Sequence, residues 1–232
     1  MIFVRPSMAQ VLSPEKVAQE LQNLNSNPPS TLVHQYKLTQ DLSGVECGAF
    51  SETAVKTLWS QGTEQIVAIE TNSATCVRKF LIIFDGDENH WKYSGTIALE
   101  ERDTEPTYKT MTFFTDQAPQ IAVSNNVVDS GTGIFQANMQ IFAFVDGSLR
   151  VVFNEPETVR LALPFKKQCC PVQYEDIQTS KFEILPSKEH QPAQIEETRH
   201  VSVNGRSLTQ YRRYVWNARW NSFYAVAFAP TP

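Results

Sequence analysis

The sequence predicts a mainly β protein: antiparallel sheets in about three propeller-like (half-propeller) or sandwich-like units, with one N-terminal helix. Three observations predict it. Short apolar or alternating runs recur along the chain, separated by Asp-Gly and Asn-Gly pairs, which tight hairpin turns favour. The aromatic supply is generous, with 14 Phe, 7 Tyr and 4 Trp in 232 residues, and aromatics suit the pleated surface of a sheet. Finally, Leu81-Ile82-Ile83-Phe84, Ile121-Ala122-Val123 and Ile141-Phe142-Ala143-Phe144-Val145 are apolar at consecutive positions. Strand side chains alternate faces, so such strands are covered on both sides.

Taken in order, the first element is a helix from Pro14 to Leu24. Ser13 is a good N-cap, and Pro14 sits at the first helical position, where its missing N–H costs nothing. Leu12 and Val17 have the spacing of a hydrophobic staple, and Val17, Leu21 and Leu24 line one face. Asn25 to Pro29 ends the helix, because the residue before a proline is pushed out of the helical region. Residues 1–29 thus read as a tail and capping helix, and residues 30–232 as one β-rich domain. Strands are expected at Leu32–Thr39, Glu64–Thr71, Arg78–Asp85 and Trp91–Glu101. A second group is Tyr108–Thr115, Gln120–Ser124, Phe135–Val145 and Leu149–Asn154. The third is Val172–Tyr174, Ser180–Leu185, Ile195–Val203, Ser207–Trp216 and Ser222–Ala229. Ser51 to Trp59 reads as a short helical piece. Turns are expected at Asp85-Gly86, Asp146-Gly147 and Asn204-Gly205.

A weak repeat of roughly 50 to 60 residues runs through these strands. Ile66-Val67-Ala68 is followed by Ile82-Ile83-Phe84-Asp85-Gly86 and Trp91, and Ile121-Ala122-Val123 by Phe144-Val145-Asp146-Gly147. The pattern resembles FG-GAP-type β-propeller repeats over about half of the chain, without that family's Phe-Gly and Gly-Ala-Pro hallmarks or its regular acidic calcium loop. The resemblance implies propeller-like stacking, and three units imply an open stack rather than a closed ring.

Composition narrows the function. At 41% hydrophobic and 19% charged residues the chain fits a folded protein, and its net charge of -5 argues against nucleic acid as a partner. No apolar run approaches the roughly 18 residues that span a bilayer as a helix. Ser7-Met8-Ala9 has the small-residue spacing of a signal-peptidase site, which would release a chain starting at Gln10 into the periplasm or medium; a simple tail is the other reading. Cys47 and Cys76 are either a disulfide or buried thiols, and Cys169-Cys170 could close only a strained vicinal ring.

Two constellations carry chemistry. Asp85, Asp87 and Asn89 place oxygens at alternate positions, as calcium loops do, although the positions of Gly and Glu in an EF-hand are held here by His90 and Thr96. Calcium is therefore the one candidate cofactor, against a plain hairpin turn. The C-terminal run Tyr211 to Trp220 interleaves cations and rings, and its candidate ligand-binding residues are Arg212, Tyr214, Trp216, Arg219 and Trp220. Arg offers planar hydrogen bonds and cation–π contact, suiting a carbohydrate or a protein. Alternation puts Arg212 and Tyr214 on one face and Tyr211 and Arg213 on the other. No nucleophile elbow, metalloprotease helix or phosphate loop is present, and the doublets Glu100-Glu101 and Glu196-Glu197 point to opposite faces and form no catalytic pair. The expected role is a non-catalytic binding or scaffolding module. The alternative is a carbohydrate-binding or carbohydrate-active protein using the C-terminal surface, and pairing of open sheet edges would make a homodimer.

Overall fold

The computed structural model describes residues 13–22, 30–38, 47–76, 78–87, 89–100, 105–113, 119–129, 133–162, 174–188, 192–203 and 205–226. The expectations for the N-terminal leader, Cys169-Cys170 and Asn204 lie outside the described residues. Two helices, α1 (Pro14–Gln22) and α2 (Ser30–Gln35), precede twelve strands. β1 (Phe50–Gln61), β2 (Glu64–Ser73), β3 (Arg78–Asp87) and β4 (His90–Glu100) form a four-stranded sheet. β5 (Thr107–Met111), β6 (Gln120–Asp129), β7 (Ile134–Val145), β8 (Ser148–Ala162), β9 (Tyr174–Leu185), β10 (Gln194–Val203), β11 (Arg206–Asn217) and β12 (Ser222–Val226) form an eight-stranded one. Both are antiparallel meanders in which each strand pairs with its neighbour in sequence.

The doubly apolar strands sit where their pattern requires. On β3, Phe80, Ile82 and Phe84 face one core with α1 and α2, while Leu81 and Ile83 face another. That second core, with Ile66, Ile97, Ile121, Val123 and Phe142, joins the small sheet to β6 and β7 in a sandwich. On the far side of β7, Met139, Ile141, Ala143 and Val145 enter a third core with residues of β8, β10 and β11. The large sheet closes this third core by curling. The Phe153 ring on β8 meets Phe182 on β9 at 5.5 Å, Tyr214 on β11 at 5.0 Å and Phe223 on β12 at 6.0 Å.

Three local expectations are corrected. Leu32–Thr39 is not a strand: α2 places Leu32 and Tyr36 one turn apart, both buried, and Lys37 ends it at a φ of 56°. An apolar pattern this short fits either period. Ser51–Trp59 is not helical but part of β1, whose pairing to β2 overrides helix propensity. Asp85-Gly86 is not the turn; β3 continues to Asp87, which pairs with His90. A side chain at Gly86 would meet the His90 carbonyl, with a Cβ only 2.0 Å from its oxygen. The second and third strand groups belong to one sheet, since β8 pairs with β9 from Thr158–Thr179 to Ala162–Tyr174.

Candidate functional site

The C-terminal run is divided by its strand. Register pairs Arg212 with Glu197 and Phe182, Tyr214 with Ile195 and Ile184, and Gln210 with Arg199 and Ser180. These residues share the concave face of the curl. Aromatic packing fills one end of that face, where Tyr214 is buried and Trp216 lies 5.4 Å from the Phe223 ring. The other end is an ionic belt.

Glu197 is the centre of the belt, its side chain fully withdrawn from water. Oε1 accepts from Ser180 Oγ at 2.7 Å and from Arg199 Nε at 2.7 Å. Oε2 accepts from Tyr214 Oη at 2.9 Å and Arg199 Nη2 at 3.2 Å. A buried carboxylate is tolerated only when paired and hydrogen-bonded in this way. Arg199 also reaches Glu155 Oε2 on β8 at 3.7 Å, tying β10 across the curl. Burial first, then the charges of Glu197 and Glu155, pushes the Tyr214 phenol far above its usual range. Burial, reinforced by Glu197, likewise raises the Glu155 carboxyl, against the pull of Arg199 and Arg212. Arg212, half-buried beside Tyr214 and Glu155, makes no ion pair among the described residues. Glu155 keeps 30% of its side chain exposed, so these two groups front the belt.

Glu155, Ser180 and Arg199 were not among the residues singled out from sequence, and Glu197 was weighed there only as half of a carboxylate doublet. An Asn-Gly pair in the sequence favours a two-residue hairpin loop, and the pairing of Val203 with Arg206 carries the register that sets Glu197 opposite Arg212, so that part was within reach. The approach of Glu155 depends on the curl, which no local signal encodes.

The opposite, outer face of the same strands carries Tyr211, Arg213 and Val215, with Tyr224 beside Val215. Arg213 donates to Glu196 Oε1 through Nε at 3.0 Å and Nη2 at 2.6 Å. Arg219 and Trp220 lie in the exposed β11–β12 turn, and the Trp220 ring meets Tyr224 edge-on at 6.5 Å. The doublet Glu196-Glu197 is indeed split between faces.

At the β3–β4 turn, Asp87 Oδ1 accepts from the backbone N–H groups of Asn89 and His90, both at 2.8 Å. The Asn89 N–H, followed by His90, holds the Asp87 carboxyl below its usual range. Asp85 is raised by burial, with Lys92 and Ser94 opposing. Among the described residues no three His, Cys, Asp or Glu side chains gather as a metal-ligating group. No family model matches the chain, and neither does any curated protein or any solved structure.

Proposed function

We propose that the chain is a non-catalytic binding module that holds a small polar ligand on the ionic belt of the concave face. The observation that carries this reading is the contrast within the belt. Glu197, Arg199, Ser180 and Tyr214 satisfy one another, while Arg212 and Glu155 stand half-open beside them. A rigid, fully bonded support behind a few accessible polar groups is how strands preorganise a ligand site. The same contrast speaks against acid–base catalysis, since both Glu197 oxygens are already engaged as acceptors.

Export fits this reading. Cys47 and Cys76 form a disulfide across a separation of 29 residues, and disulfides persist in oxidising compartments. No described helix is long and apolar enough to cross a membrane.

The test is thermal denaturation of the oxidised chain with a panel of sugars, amino acids and dicarboxylates. A ligand at about a hundred times its Kd adds roughly 2.7 kcal/mol, several degrees of Tm at this size. The shift should vanish in Arg212→Ala and Glu155→Ala and survive in Trp220→Ala. A shift indifferent to both belt variants, or none across the panel, refutes the assignment.

A further inference from the structure

We propose that the outer face of β9–β12 is a second site, a docking platform for a neutral carbohydrate chain. It uses none of the belt residues and stands or falls independently of them. Three aromatic rings are exposed there: Trp220 at 65%, and Tyr211 and Tyr224 at 42% each. Rings of this size leave water readily when an apolar surface covers them, and the C–H faces of sugar rings are such a surface.

The rest of the face matches the edges of a sugar. Arg213 donates through Nε and Nη2 to the single oxygen Oε1 of Glu196, between Tyr211 and the Trp220–Tyr224 pair. Thr198 lies opposite both Tyr211 and Lys181, and Thr209 holds His200 Nδ1 at 3.0 Å. These groups donate and accept at fixed positions, as hydroxyl recognition needs.

Charge selects the ligand class. The chain carries a net charge of -5, yet on the strands of this face Lys181 and Arg213 balance Glu183 and Glu196, which the register sets side by side, and Arg219 in the adjoining turn adds one cation. A face this near balance draws an ionic partner only weakly over distance, so complementarity points to an uncharged one. Length selects a chain over a monosaccharide. Tyr211 and Val215, beside Tyr224, are four residues apart on β11, or roughly 14 Å, and one sugar ring cannot contact both ends.

Affinity electrophoresis of the oxidised chain in gels containing soluble neutral glucan, xylan or glucomannan tests this. Retardation is expected in at least one polysaccharide, with Kd weakened about tenfold or more in Trp220→Ala and Tyr211→Ala and unchanged in Arg212→Ala. The replaced rings are solvent-exposed, so an unaltered Tm would show that the fold persists. Absence of retardation in every gel overturns the proposal, as does retardation insensitive to Trp220→Ala. So does a dimer seen by light scattering that Trp220→Ala dissociates, because the face would then belong to a second copy of the chain.

Discussion

Glu197 receives hydrogen bonds from three side chains with none of its own side chain exposed. Removing it strands a buried guanidinium and a buried phenol. Glu197→Ala should therefore cost about 3–5 kcal/mol in urea denaturation; a loss under about 1 kcal/mol would mean that Glu155 alone satisfies Arg199. Glu157 is the opposite case. Burial raises its carboxyl above the usual range, against hydrogen bonds from the Asn125 N–H and Ser124. A raised native pKa means that the folded state binds the proton more tightly than the unfolded chain. Its stabilising contribution is then full below the unfolded value and is lost as pH climbs through the native one. Glu157→Gln keeps the acceptor and removes the titration. The Tm of the variant relative to the parent chain should rise as pH climbs above about 4, the ordinary carboxylate value, and a constant difference would contradict this. Individual residues were legible in sequence to the extent that alternation decides them. The division of Tyr211 and Arg213 from Arg212 and Tyr214 was readable. Which of the two faces is the concave one was not.

Among elements, the strands with apolar residues at every position were the most legible. Burial on both faces leaves few arrangements for Leu81 to Phe84 or Ile141 to Val145. Elements of only a few residues were the least legible, as α2 illustrates: its Leu32–Tyr36 spacing is one helical turn, but the same stretch also alternates. The disulfide acts at this scale. It fixes Cys47, just before β1, to Cys76 in the β2–β3 turn, where Ser73 also accepts from the Cys76 and Gly48 N–H groups. Chain-entropy reasoning gives a cross-link of this separation about 3–4 kcal/mol. The Cys47→Ser, Cys76→Ser double variant should lose about that much in reversible denaturation. An unchanged midpoint would show that the loop is already ordered without the bond.

For the molecule as a whole, the sequence foretold layers of sheet but not how many sheets, because hydrogen bonding between β8 and β9 is a matter of curl rather than of local pattern. Between the two sheets, β4 packs against β8. A side chain added at Gly95 would set its Cβ 2.9 Å from Leu149 Cβ, near the branch of a rigid neighbour rather than a flexible tip. Gly95→Ala should cost about 1–3 kcal/mol by forcing the layers apart, measurable as a lowered urea midpoint. A neutral result would indicate that the sandwich slides at this contact to make room.

Each strand in both sheets is bonded to the one made just before it or just after it. The chain can therefore add strands in the order of synthesis, and within each sheet every strand after the first meets an edge that already exists. No strand has to wait for a distant partner, the circumstance that makes other β topologies slow and leaves their edges open to neighbouring chains. Strands β10 to β12 complete the belt that Glu155 on β8 and Ser180 on β9 begin, and they and the β11–β12 turn carry the outer aromatic rings. Both surfaces are completed only once β10 to β12 have joined the large sheet, so a chain cut before β10 would hold the sandwich without the sites.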